Sequence, residues 1–183
     1  MDELRARRAR SPLAGREADL ARISAAEVPF LTQVDGRCSE GAAARLGFPV
    51  EPNTVTGDMA RGVLWLGPDE WLVVAGPGTA PELVAELSEA LVGEHHSVVD
   101  VSANRTVIEL RGPGRHELLA TGCSVDLDPA GGWGPGRCAQ TVFGTVPVLL
   151  QELDGVTRIF VRPSFAHPVL DQLLAGAAIL PLA

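Results

Sequence analysis

The chain reads as an α+β protein, and three observations predict that class. The order strand, helix, two or three strands, helix occurs twice along its 183 residues, which gives mixed connections rather than a strict alternation of strands and helices. Its strands alternate apolar with polar residues, whereas the buried strands of a doubly wound parallel sheet would be continuously apolar. The length suits one compact domain, at roughly 100–200 residues per domain, and a chain of this size buries roughly 70 % of its unfolded surface without staples. The expected organisation is a flexible arginine-rich arm over residues 1–18, one domain over 19–178 made of halves at about 19–95 and 96–178, and a tail at 179–183.

In the segment V-P-F-L-T-Q-V, Val28, Phe30, Thr32 and Val34 fall on one face, which predicts a strand. Asp35-Gly36 is expected to turn the chain. Ser39 is placed to cap a short helix over residues 40–46, closed by Gly47 with Pro49 beyond it. Strands are expected around residues 54–57, 62–66 and 70–75, the last two joined by Gly67-Pro68-Asp69. The strongest helix signal follows. Thr79 and Glu82 spell a T-x-x-E capping box with Pro81 in the first turn, Leu83, Leu87 and Leu91 recur every four residues, and Gly93 ends the helix.

The second half repeats this order. Residues 97–102 and 106–111 read as strands, and Gly112-Pro113-Gly114 leads into a helix through Leu118, Leu119 and Ala120 that ends at Gly122. A Gly/Pro-rich loop over 128–136 precedes strands at 138–143, 146–153 and 157–161. Ser164 opens a last helix containing Val169, Leu170, Leu173 and Leu174, with Pro168 in its first turn. The turn at Gly36 is matched with that at Gly112, an architectural repeat rather than a sequence repeat.

Composition excludes several functions. Acidic residues number 23 against 15 basic ones, for a net charge of −8, and every basic residue is arginine. Without lysine the chain can build neither a Walker phosphate loop nor a Schiff base. An acidic chain is poorly suited to a nucleic-acid backbone. Cys38, Cys123 and Cys138 are widely spaced and include no CxxC, so they read as reduced thiols in a cytoplasmic protein rather than a zinc or dithiol site. The N-terminal MDELRARRAR has no apolar run behind it, unlike a secretory signal, and no stretch approaches the ~18 apolar residues of a membrane span.

Few residues offer chemistry. His95, His96, His116 and His167 lack metal-ligand spacing, and His95-His96 suits the negative end of a helix dipole. Gly112-Pro113-Gly114 follows a strand and opens a helix, yet lacks the GxGxxG spacing, and reads as a tight turn. Asp100 lies in the apolar run Val98–Val101 and needs a partner, for which Arg105 is close in sequence. Trp65 and Trp71 sit on adjacent strands, and Trp133 in the long glycine-rich loop. Large indoles prefer burial, which makes the three tryptophans candidate anchors for a partner interface, or packing for their own domain. No catalytic, cofactor-binding or metal-binding residue is assigned.

The segment Leu64-Trp65-Leu66-Gly67-Pro68-Asp69-Glu70-Trp71-Leu72, the segment Val99-Asp100-Val101-Ser102-Ala103-Asn104-Arg105-Thr106 with Leu110-Arg111-Gly112-Pro113, and Arg162-Pro163-Ser164-Phe165-Ala166-His167 together resemble the gamma subunit of heterotetrameric sarcosine oxidase. The resemblance spans roughly residues 11–178. It implies a fold similar to the folate-binding domain of aminomethyltransferase, a duplicated β-β-α-β-β-β-α unit. It further implies a complex that oxidises sarcosine to glycine and hydrogen peroxide and passes the one-carbon unit to tetrahydrofolate. The implied partners are an alpha subunit with FAD, NAD and its own folate-binding domain, in direct contact with this chain, a beta subunit with covalent FMN, and a zinc-holding delta subunit. The R-T-G-Y-T-G-E signature of aminomethyltransferase is absent; Gln140-Thr141-Val142-Phe143-Gly144-Thr145-Val146-Pro147 stands in its place. The implied role is therefore that of a structural subunit, with a stand-alone folate-binding or aminomethyltransferase-like domain as the alternative.

Overall fold

The computed structural model describes residues 10–180. Its elements run α1 (Glu17–Ala21), β1 (Ala25–Val28), β2 (Thr32–Arg37), α2 (Glu40–Arg45), β3 (Val55–Gly57), β4 (Arg61–Gly67), β5 (Glu70–Ala75) and α3 (Ala80–Ala90). They continue through β6 (Ser97–Asp100), β7 (Thr106–Arg111), α4 (Arg115–Ala120), β8 (Cys138–Phe143), β9 (Val146–Leu153), β10 (Val156–Val161) and α5 (Ala166–Ile179).

The strands form two five-stranded sheets of order β3-β4-β5-β2-β6 and β8-β9-β10-β7-β1, and every strand pair in them is antiparallel. The two orders correspond position by position, so the duplicated β-β-α-β-β-β-α unit is present. The edge strands are exchanged. β1, which precedes the first unit, pairs with β7 of the second sheet (Val28 opposite Val107), and β6 returns to pair with β2 of the first (Val34 opposite Asp100).

Side-chain alternation then defines four layers. In the first sheet Val34, Trp71 and Val73 face outward onto Ala42 and Ala43 of α2 and Leu83 and Leu87 of α3. In the second, Ile108, Leu110, Leu150 and Ile159 face Leu118 and Leu119 of α4 and Val169, Leu170 and Leu173 of α5. Leu64, Leu72 and Val74 from one sheet meet Val107, Leu149 and Phe160 from the other between them. The result is a helix–sheet–sheet–helix sandwich. A Thr54–Arg137 bridge and the hydrogen bond from the Gln140 Nε2 to the Leu66 carbonyl (2.8 Å) tie the sheets along one edge.

Local signals act as expected at several points. The Ser39 Oγ accepts from the Ala42 amide at 3.2 Å, which caps α2, and Gly47 adopts φ +73° just past it. Four expectations are corrected. Residues 28–34 are not one strand: Pro29, which has no N–H to donate, and Phe30 at φ +63° break them so that β1 and β2 can enter different sheets. Asp35-Gly36 is not a turn but the middle of β2, held between β5 and β6, so the correspondence lies between β2 and β7. The Thr79 hydroxyl does not cap α3; it donates to the Gly76 carbonyl at 2.8 Å. Ser164 does not open the last helix but sits in a 3-10 turn over Pro163–Phe165; the helix starts at Ala166, where Pro168 falls in its first turn as expected.

Of the arm expected over residues 1–18, residues 1–9 lie outside the described residues. The remainder packs on the domain. Leu13 is buried and its amide donates to the Glu27 carboxylate, and Arg16 pairs with Asp19 and, at 2.7 Å, with Asp171 of α5.

Candidate functional site

The tryptophans belong largely to the core. Trp71 is fully buried, and its indole N–H donates to the Pro49 carbonyl at 2.7 Å. Trp133 is 7 % exposed, because the glycine-rich loop folds back through a 3-10 turn over Pro129–Gly131 and delivers the indole N–H to the Glu152 carboxylate at 3.2 Å. Neither is available to anchor a partner. Trp65 is half-buried against the helix-covered face of the first sheet. Asp100 and Arg105 do not pair. Asp100 is exposed on edge strand β6, and its Oδ1 accepts from the amide and the hydroxyl of Ser102. Arg105 is half-buried just before β7; burial lowers its pKa, and the neighbouring Arg162 lowers it further.

The structure places the buried carboxylates elsewhere. Glu152 of β9 is fully buried, and four side chains satisfy it. Its Oε1 accepts from Arg115 Nη2 (2.7 Å) and lies 3.0 Å from His116 Nε2; its Oε2 accepts from Trp133 Nε1 and Thr157 Oγ1. A second buried carboxylate, Glu109 of β7, faces Arg158 of β10 at 3.0 Å in the same register and also accepts from Arg111. Both carboxylates sit in central apolar strands, where a charge persists only if paired and hydrogen-bonded. The argument that singled out Asp100 applies with more force to T-V-I-E-L-R and V-L-L-Q-E-L, and that was the available signal in the sequence.

Chemically, these clusters are closed. Each oxygen of Glu152 and of Glu109 already accepts at least one hydrogen bond from a partner within the chain, so both carboxylates are committed to the fold. Burial pushes the Cys138 thiol up to about 12 and raises Cys38 as well. Both therefore stay protonated and non-nucleophilic at neutral pH. Among the described residues, no group of three or more His, Cys, Asp or Glu side chains could hold a metal ion, and no helix is long and apolar enough to cross a membrane.

Two surface features remain. A shallow groove of about 570 Å³ is lined by His116, Glu117, Asp126 and Asp128 with Leu127 and Pro129. The other feature is a rim at one end of the second sheet, where the register brings together the Phe30 turn after β1, Arg105 before β7, and the Arg162–Phe165 turn after β10. Phe30 and Phe165 are 48 % and 40 % exposed there.

A four-layer sandwich of two exchanged β-β-α-β-β-β-α units with closed polar clusters defines the class as a domain of aminomethyltransferase fold. The glycine cleavage system aminomethyltransferase T of Bartonella henselae shares that fold at a TM-score of 0.62 and 12 % identity, over 88 % of this chain and 49 % of that one. The chain belongs to the sarcosine oxidase gamma subunit family, whose model matches residues 38–177. The sarcosine oxidase subunit gamma of an Arthrobacter species is 38 % identical over 169 residues, 83 % of this chain and 80 % of that protein. The same subunit of Corynebacterium sp. (strain U-96) is 36 % identical over 83 % of this chain and 78 % of its own length. A chain of the heterotetrameric sarcosine oxidase from Corynebacterium sp. U-96, solved with pyrrole 2-carboxylate, superposes at a TM-score of 0.84 with 33 % identity, covering 95 % of this chain and 97 % of that one.

Proposed function

We propose that the chain is the gamma subunit of a cytoplasmic heterotetrameric sarcosine oxidase and acts as a structural subunit without catalytic groups of its own. The observation that carries this reading is the end-to-end superposition on a chain of that complex, 95 % of one and 97 % of the other at 33 % identity. The closed state of Glu152 and Glu109 and the protonated Cys138 support the non-catalytic part. In this reading FAD, FMN, NAD and tetrahydrofolate belong to the alpha and beta subunits. The oxidation of sarcosine to glycine, with hydrogen peroxide formed and the one-carbon unit passed to tetrahydrofolate, proceeds there.

We assign the contact with the alpha subunit to the rim of Phe30, Phe165 and the half-buried Arg105. Two exposed phenylalanines beside arginines have the composition of an interface anchor. The test is co-expression with the other three subunits and affinity capture. The wild-type chain should recover a stoichiometric complex, and Phe30→Ser with Phe165→Ser should cut recovery at least tenfold while leaving the circular dichroism of the isolated chain unchanged. The chain alone should show no flavin spectrum and no turnover of sarcosine. Stoichiometric flavin on the isolated chain would overturn the structural role, and micromolar binding of tetrahydrofolate to it would favour a folate-binding domain instead.

A further inference from the structure

Residues 10–28 form a unit of their own, docked on the second sheet. Leu13, Leu20 and Ile23 enter the core of that sheet. Among the described residues, the unit's hydrogen bonds and ion pairs to the rest of the chain all end on β7 or α5. They are the β1–β7 ladder, the Thr106 hydroxyl on the Glu27 carboxylate (2.7 Å), the Arg111 amide on the Ser24 carbonyl (2.9 Å), and Arg16 against His167 (3.2 Å) and Asp171 (2.7 Å). Three residues, Pro29, Phe30 and Leu31, then carry the chain to β2 in the other sheet. They turn with Phe30 at φ +63°, a region in which a bulky aromatic residue is strained. Phe30 stays 48 % exposed there, so burial of its ring does not offset the strain. The sequence favours a straighter connection. Val28, Phe30, Thr32 and Val34 alternate as one strand, and a residue before proline prefers extended backbone.

We propose that two copies of this chain swap residues 10–28. When Pro29–Leu31 straightens, the unit of each copy docks on β7 and α5 of the other, which closes a two-fold dimer. The β1–β7 ladder, the Arg16 pairs and the contacts of Leu13, Leu20 and Ile23 are then remade between chains. These contributions cancel between the two forms, and the hinge distinguishes them. Each dimer relieves the Phe30 strain in both copies, and this opposes the entropy lost on association. A short connection under strain is the feature that invites such a swap. The proposal rests on the hinge and the docked unit, so it stands whether or not the assembly reading holds.

The test unfolds the full chain in urea, refolds it over a range of protein concentrations and measures its mass by light scattering after size exclusion. The expected result is a dimer fraction that rises with concentration. Phe30→Gly holds the turn without strain and should raise the dimer dissociation constant at least ~10-fold. Phe30→Val should lower it, because a branched Cβ resists the left-handed region and suits a strand. In a dimer refolded from a mixture of isotope-labelled and unlabelled copies, isotope-filtered NOEs should join Val28 of one copy to Val107 of the other, the pair that faces across β1 and β7. A chain that stays monomeric at every concentration overturns the swap. So does a dimer that Phe30→Gly leaves unchanged, or one whose β1–β7 NOEs stay within a single copy.

Discussion

At the scale of single residues, the most consequential side chain is Glu152. Its carboxylate is fully buried and holds Arg115, His116, Trp133 and Thr157 at once, joining β9, β10, α4 and the glycine-rich loop. Replacement by alanine strands the Arg115 guanidinium, only 15 % exposed, and orphans the Trp133 and Thr157 donors. Breaking such a pair from one side costs about 3–5 kcal/mol. Glu152→Ala should therefore lower the urea midpoint strongly at unchanged slope, and Glu152→Gln less, because it keeps an acceptor for Thr157 and Trp133. Glu86→Ala, which removes a solvent-exposed pair with Arg61, should cost less than ~1 kcal/mol. Equal losses at positions 86 and 152 would show that burial does not set the worth of these pairs.

At the scale of elements, the turns discriminate between space and backbone conformation. Gly57, the last residue of β3, holds φ +88°, and a Cβ there would lie 2.1 Å from the Arg61 carbonyl oxygen. Gly155, between β9 and β10, holds φ +70° with nothing within 4 Å of the same atom. Gly155→Ala should cost only the left-handed strain, about 1–2 kcal/mol. Gly57→Ala must also displace the backbone that closes the turn through the Asp58–Arg61 hydrogen bond, and should lower Tm by a larger margin in thermal unfolding. Elements with a local signal were the legible ones: the Ser39 cap, the alternation in β8 and the four-residue spacing in α3 all act within a few residues. Asp35-Gly36 misled because its turn propensity is weaker than two flanking ladders from β5 and β6. The carboxylate rule was sound but pointed to Asp100 on an edge strand, where solvent suffices, rather than to Glu109 and Glu152 in central strands. Trp133 was opaque because it is placed by Glu152, 19 residues away on β9.

At the scale of the whole molecule, the exchanged edge strands decide how the chain can be divided. A cut between residues 95 and 96 separates two halves of similar sequence order, yet neither contains a complete sheet. The first would keep β1, whose partner β7 lies in the second, and would lose β6, which covers the edge of β2. Each fragment would then expose an unpaired strand edge and the inter-sheet core of Leu64, Leu72, Leu149 and Phe160, both of which favour aggregation. The two fragments, 1–95 and 96–183, should thus be unfolded or aggregated when expressed alone. Expressed together they should recover a soluble one-to-one complex with the far-ultraviolet circular dichroism of the intact chain, because every missing ladder is supplied by the other fragment. The exchange also makes the sheets interdependent, so the intact chain should unfold in one transition, with a fluorescence probe at Trp71 in the first sheet and one at Trp133, in the loop packed on the second, moving together. A stable, monomeric fragment 1–95, or two separated transitions, would show that each half closes its own sheet and that the exchange does not couple them.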